Sequence, residues 1–415
     1  MQKNKKVEVA KTAQEKFIQY ENLDKIGEIP LYYGFAPYKS PEIKKVDIDS
    51  AKTLLEGDFI DDEEDNGYHL PLHVEEKIAL LRMYIEEDMH SLPKPIMLYF
   101  REPFKSGLKP SKKVNSVNRY CDLEIMGGSK SIAEALLIQS AKSILEEEGY
   151  SNICVEINSI GDKESINRFT RDLSNFYKKH LNEMHAECRQ LFKKDPFELL
   201  CCQNEKCRKI NKDAPRPMDF LSESSRTHFQ EVLEYLESIN VPYKINNHLI
   251  GNRKYCTETI FAITDMDFEK KKSQRILAIG VRYDGLSKKL GLKKEIPGVG
   301  ISLLVKNNKP ELRKEIKKVK KPFASFVQLG FESKLLSLQI IDSLRQEKIP
   351  LFLSLARDRL GAQVSAVEKH HIPYVLIMGK KEAVDRTVIV RNNDTHAQDI
   401  VSIDELPKYM KKLEK

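Results

Sequence analysis

The chain has 415 residues, with Lys+Arg 69 against Asp+Glu 62 and a formal net charge of +7. That length exceeds one compact core and predicts two or three domains. Hydrophobic residues at 40% and charged residues at 32% exclude a disordered chain, and no apolar run approaches the roughly 20 residues that span a bilayer. The mild positive surplus permits a nucleic-acid partner without demanding one. The basic residues 1–6 are not followed by an apolar segment, so no secretory signal is expected. The seven cysteines are then expected to be reduced thiols in a cytoplasmic protein.

Residues 31–35 (LYYGF) are apolar and aromatic, set between Pro30 and Pro37. The run 61–65 (DDEED) reads as a solvated acidic loop. Residues 75–88 carry the spacing of an amphipathic helix through Ile78, Leu81 and Tyr84. Strands follow at 95–100 and 122–127, joined by a segment rich in Gly, Pro, Ser and lysine (Lys105, Lys109, Lys112, Lys113). That segment reads as a hairpin loop facing an anion or as an ordinary exposed loop. Residues 131–148 form a helix with one apolar face, and 154–158 a strand closed by Gly161. From 162 to about 242 the pattern turns helical and strongly charged, and strand-like runs return at 243–250, 257–263, 275–281 and 298–305. Strands interrupted by a block of helices predict an α+β fold with an antiparallel sheet and a helical insertion. The lysine-dense 306–321 reads as a linker or basic surface helix. Beyond it, alternating elements (strand 323–329, helix 332–347, strand 350–355, helix 359–370, strands 374–378 and 387–391, helix 406–413) predict a separate small α/β domain. The expected division is 1–322 and 323–415.

Several of these strings, in order along nearly the whole chain, resemble the histidyl-tRNA synthetase family of class II aminoacyl-tRNA synthetases. YYGFAPYKSPEI (32–43) resembles the first class II motif, with Pro41 at its dimer-interface proline. LYFREP (98–103) and DLEIMGG (122–128) resemble the two strands of the second motif. INSIGDKES (157–165) and NKDAPRPMDFLSESSRTHF (211–229) resemble the borders and core of the family's insertion. NNHLIGNRKYCTETIF (246–261) and IGVRYDGL (279–286) resemble its histidine signatures, and PGVGISLL (297–304) its third motif. The C-terminal domain resembles an anticodon-binding domain.

The resemblance implies ATP-dependent attachment of histidine to tRNA, with magnesium as the companion of ATP and a homodimer as the assembly. Such chemistry needs no protein nucleophile. It rests on positioning and on cations placed where phosphate charge develops. By resemblance, Arg101 would bridge the α-phosphate and the substrate carboxylate, and Glu102, Lys105, Gly298, Gly300 and Lys306 would belong to the nucleotide site. Glu75, Glu124, Tyr255 and Arg282 would belong to the amino-acid site, although the Arg-Tyr-Asp run 282–284 reads equally well as scaffolding. For the glycines a tightly packed strand is an equal reading. Arg357, Arg359 and Lys369 would serve RNA.

The chain also departs from the family. The third motif lacks its terminal arginine, with Lys306 and Asn307 standing in its place. Gly251 stands where the family has its catalytic arginine, and Arg253, two residues on, would share a strand face with it. Cys256 replaces one of two tyrosines that recognise imidazole. Losing one preorganised charge donor costs about 10²–10³ in rate, and two independent losses on the order of 10⁴. The leading expectation is therefore a family member that binds tRNA, and ATP or histidine, with aminoacylation impaired. The alternatives are an active ligase compensated by Lys306 and Arg253, and a regulatory or sensor protein acting through a protein partner. Cys188, Cys201, Cys202 and Cys207, with His185 near the first, lie in the insertion without a pair of CxxC units. Packed thiols are expected there ahead of a zinc site or a redox pair.

Overall fold

The computed structural model describes residues 17–21, 23–55, 73–102, 104, 118–200, 202, 204–266, 275–306, 316–353, 363 and 372–414. Among the candidate residues, Lys105, Arg357, Arg359 and Lys369 lie outside these, as does the side chain of Lys306.

The chain opens with strand β1 (Phe17–Glu21) and helix α1 (Lys25–Tyr32), whose first turn is capped by Asp24 Oδ1 accepting from Gly27 N at 2.8 Å. Then come β2 (Ala36–Tyr38), α2 (Lys45–Leu55), α3 (Val74–Glu86), β3 (Ile96–Phe100), β4 (Asn118–Met126), α4 (Ile132–Glu147) and β5 (Ile153–Gly161). Four helices follow, α5 (Lys163–Lys179), α6 (Ala186–Lys194), α7 (Pro196–Leu200) and α8 (Glu205–Ile210), then the longer α9 (Glu223–Ser238). Strands β6 (Tyr243–Ile245), β7 (Thr257–Asp265) and β8 (Arg275–Arg282), short helix α10 (Leu286–Lys289) and β9 (Gly298–Lys306) complete the body. Its sheet has the order β2-β3-β4-β9-β8-β7-β5-β6. Every neighbour from β3 to β5 is antiparallel, and the edge strand β6 runs parallel to β5.

The insertion is pinned where it leaves and returns. Asp162 Oδ1 accepts from Ser165 N at 2.8 Å and caps α5, while Ser222 Oγ accepts from Ser225 N at 3.2 Å and caps α9. The two caps bind each other: Ser222 Oγ donates to Asp162 Oδ2 at 2.8 Å, and Ser222 N donates to Ser165 Oγ at 2.9 Å. Gly161, at φ +71, brings the chain in close, and a Cβ there would lie 2.6 Å from Ser165 Cβ. The insertion therefore closes near Ser222, short of the expected 242, because α9 packs on α4, β5 and β7 of the body. Its own apolar centre is Phe169, Leu173, Tyr177, Met184, Phe197 and Leu199 with their neighbours.

Strand β10 (Ile316–Lys320) pairs antiparallel with β1, Ile18 opposite Val319. A linker or surface helix was expected there. The partner strand at residues 17–21 supplies the ladder that makes β-branched Ile316 and Val319 a strand. The C-terminal sheet has the order β12-β11-β13-β14-β15, with β11 (Ala324–Gln328), β12 (Leu351–Leu353), β13 (Tyr374–Met378), β14 (Thr387–Asn392) and β15 (Gln398–Ser402). Strands β12, β11 and β13 are parallel, and β14 and β15 antiparallel. Helices α11 (Phe331–Gln346), α12 (Lys380–Asp385) and α13 (Leu406–Leu413) accompany it.

The chain divides into two compact units. One is Tyr38–Lys306; the other joins Met1–Pro37 to Asn307–Lys415. The β1–β10 ladder explains why the first residues group with the C-terminal domain rather than with the body, where the sequence reading put them.

Candidate functional site

Strands β4 and β9 set the site through their register. Asp122 faces Ser302, Glu124 faces Gly300, and Met126 faces Gly298. Alternation places these residues on one face of the sheet. Glu124 is fully buried there. A Cβ at position 300 would overlap its carboxylate, and one at 298 would overlap the Tyr283 ring. The two third-motif glycines thus make room for the Tyr283 and Glu124 side chains, as the packed-strand reading has it.

Both oxygens of Glu124 are taken. Lys77, from α3, donates to Oε1 with its Nζ, and Tyr283 OH donates to Oε2 at 2.7 Å. The side chains of Lys77 and Glu124 are 4% and 0% exposed, so the pair is sealed from water. Lys77 Nζ also lies 5.8 Å from the Tyr283 ring centroid. Burial alone would push the Lys77 ammonium toward neutrality, but the Glu124 and Asp122 carboxylates outweigh it and hold the charge. Burial pushes the carboxyl of Asp122 up to about 6, against the pull of Lys77 and of the hydroxyl that Ser302 donates to it. Half-buried Glu76 is pushed up to about 8, by burial first and then by Asp122 and Glu75 against His73 and Lys77. Tyr283 stays a phenol, its pKa raised well above 10.0 by burial and by Glu124. The sequence reading missed Lys77. Its signal was a lone lysine within the apolar stripe of α3, one residue from Ile78.

The other expected residues are spread more widely. Glu75, half-buried, pairs with His73 Nδ1 at 3.3 Å. Tyr255 is buried in the same apolar cluster as Ile78 and Tyr283. Arg101 is half-buried one residue beyond the Phe100–Asp122 pair. Glu102 is exposed, and its carbonyl accepts from Ser40 Oγ.

Arg282 leaves the sheet on the opposite face. It pairs in register with Val299, whereas Glu124 and Val281 share Gly300. Its guanidinium is completely buried and every N–H is used. Nε and Nη2 clasp Glu134 at 2.7 and 2.6 Å, Nη1 donates to Asp284 and to the Gly128 carbonyl at 3.1 Å each, and Nη2 donates to the Lys130 carbonyl at 3.3 Å. Burial opposes the charge on Glu134, yet Arg282 and then His228 pull its pKa down to about 2. The structure therefore does not bring Arg282 to Glu124, and the scaffolding reading is the one its contacts fit.

Residues 251–256, between the two expected strands, form a turn, so Arg253 does not share a strand face with Gly251. Asn252 O accepts from Tyr255 N and Cys256 N at 3.0 and 2.8 Å, and Asn252 Oδ1 accepts from Lys254 N. A Cβ at position 251 would lie 2.7 Å from Cys256 Sγ and 2.8 Å from Ile260 Cδ1, so the turn has no room for an arginine there. Arg253 points to the insertion: Nη2 lies 2.9 Å from Asp195 Oδ2, and the guanidinium lies 5.1 Å from the Phe197 ring centroid. It is not brought to Glu124. Of the cations expected around a triphosphate and its magnesium, the described side chains retain Arg101 alone near the β3–β4 pair. Lys105 and the side chain of Lys306, expected at the same site, lie outside the described residues.

An antiparallel sheet flanked by helices, followed by a mixed five-stranded domain, is the α+β class II synthetase-like fold that the sequence motifs led us to expect. Residues 328–413 match the model of the anticodon binding domain family. The chain is 25% identical over 399 residues to the histidine–tRNA ligase of Caldanaerobacter subterraneus subsp. tengcongensis, covering 94% of each. It is 27% identical over 383 residues to that of Fervidobacterium nodosum, covering 90% of each. Among solved structures, apo histidyl-tRNA synthetase of S. aureus is similar with a TM-score of 0.49 and 20% identity, over 92% of this chain and 93% of that one. The chain is thus similar over nearly its whole length to histidine–tRNA ligases, and its C-terminal part to anticodon binding domains. Among the described residues, no helix is long and apolar enough to cross a membrane.

Proposed function

We propose that this family member binds tRNA, or an RNA shaped like it, through its C-terminal domain and does not form histidyl-adenylate at a useful rate. The observation that carries this reading is the Lys77–Glu124 pair. By resemblance Glu124 faces the substrate imidazole, and here its two oxygens are engaged by Lys77 and Tyr283 inside a sealed pocket. Histidine would have to displace a buried lysine from its charge partner, at a cost of several kcal/mol. The turn at Gly251, closed to an arginine, and the engagement of Arg253 by Asp195 support the same reading. They count against compensation by Arg253.

RNA binding is supported by the anticodon binding domain match and by the family's histidine–tRNA ligases. Filter binding to total tRNA across a salt series tests it. The expected result is an affinity that falls steeply with salt, by about 0.7 log units for each phosphate contact per tenfold rise in salt for single strands. Salt-independent or undetectable binding would favour the regulator acting through a protein partner. Homodimer formation and ATP binding are part of the proposal and rest on the resemblance alone.

A further inference from the structure

We propose that the helical insertion holds a thiophilic metal ion, zinc by its chemistry, on Cys188, Cys202 and Cys207. The sulfur atoms of these three residues all lie within 4.8 Å of one another, the one such convergence of potential ligands among the described residues. Cys188 Sγ and Cys202 Sγ are 3.7 Å apart. A disulfide would bring two sulfurs to about 2.05 Å. Zinc–sulfur bonds of about 2.3 Å at tetrahedral angles instead separate ligand sulfurs by about 3.8 Å. The Cys188–Cys202 separation has the length of an edge of a zinc–thiolate tetrahedron, and the three sulfurs lie close enough for one ion to draw them together. Soft sulfur ligands also select zinc or cuprous ions over magnesium and calcium.

The location fits a structural role. Cys188 lies in α6, Cys202 just past α7, and Cys207 in α8. These helices have 9, 5 and 6 residues, too short to persist alone in water. Their apolar centre is small, and small centres are commonly completed by a staple. An ion on the three thiols would tie the three helices at one point. Asn211 reinforces the same place, its Nδ2 donating to the Leu199 carbonyl at 2.6 Å while its Oδ1 accepts from Tyr177 OH at 2.8 Å. Binding is balanced by protons: three thiols become three thiolates on one divalent ion, and three protons pass to the buffer. Cys202 is half-buried, which leaves the fourth position to water or to a ligand from outside the described residues. His185, the histidine nearest in sequence, faces Glu187 at 3.9 Å on an exposed edge and takes no part. The spacing of these cysteines gave no clean motif because the ligands come from two helices and the segment between α7 and α8 rather than from two knuckles.

The test is a cobalt titration of the full chain, purified without oxygen and stripped with a chelator. The expected result is a sulfur-to-cobalt charge-transfer band in the near ultraviolet that saturates at one ion per chain and is abolished by one equivalent of Zn²⁺. Cys202→Ser and Cys207→Ser should each lose the band, with the far-ultraviolet dichroism of the metal-free chain unchanged. Cys154→Ser, buried in β5 away from the cluster, should keep it. Because Cys202 is half-buried, its variant remains decisive if Cys207→Ser fails to fold. No charge-transfer band, a band that survives Cys202→Ser, or a Cys188–Cys202 disulfide in mass spectra of protein isolated without oxygen would each overturn the proposal.

Discussion

Replacing Lys77 by methionine keeps the volume of the side chain and removes its charge. Glu124 is then left fully buried with only the Tyr283 hydroxyl. Breaking a buried ion pair by removing one partner costs about 3–5 kcal/mol, mostly the penalty of the stranded charge. The exposures of 4% and 0% place Lys77 and Glu124 in that regime rather than among surface pairs, whose worth is about 0–1 kcal/mol. The chain contains no tryptophan, so unfolding is followed by tyrosine fluorescence and circular dichroism in urea. Lys77→Met should lose about 3–5 kcal/mol at neutral pH. The double variant Lys77→Met with Glu124→Gln removes the stranded charge and should recover most of that loss. A loss below about 1 kcal/mol, or a double variant no better than the single one, would refute the sealed pair.

Other expectations test the rest of the site. Gly300→Ala, whose Cβ would overlap the Glu124 carboxylate, should destabilise by at least the 1–3 kcal/mol typical of about one misplaced methyl. Gly285→Ala meets nothing within 4 Å and should be near neutral in the same melts. Arg282→Met leaves buried Glu134 with His228 as its remaining charged partner and should cost about 3–5 kcal/mol, read in thermal melts beside the parent chain. The depressed Glu134 pKa makes a signed prediction. Its stabilisation is complete above about pH 4.5, the ordinary glutamate value, and is lost as pH falls toward about 2. Melting temperatures measured from pH 6 to pH 2, roughly spanning that window, should fall less steeply for Glu134→Gln than for the parent chain.

Much of the fold was legible because its signals are local. The period of α4, the apolar strands β3 and β5, and the alternation of elements in the C-terminal domain can each be read within a short window. The β1–β10 ladder could not, since its partners lie some three hundred residues apart in sequence, and lysine-rich Ile316–Lys320 becomes a strand only when residues 17–21 meet it. Strand β15 was missed for a similar reason, as Ile400 is exposed and gives no buried alternation. In the site, motif strings located Glu124, Arg101 and the glycines, but not what their side chains touch. Arg282 and Glu124 look alike as motif residues, and only the register of β8, β9 and β4 separates them onto opposite faces. Arg253 could take the place of an arginine at Gly251 only if the two shared a strand face, and the hydrogen bonds to Asn252 fold that stretch into a turn. The cysteines show the reverse case, in which an irregular spacing conceals a compact cluster in space.

The central claim is that the amino-acid pocket is closed by the protein's own lysine. Histidine-dependent ATP–pyrophosphate exchange on the full chain tests it most directly, run beside Arg101→Ala as the reference for lost chemistry. The account predicts exchange near background in both. Robust exchange by the parent chain, abolished in Arg101→Ala, would contradict it.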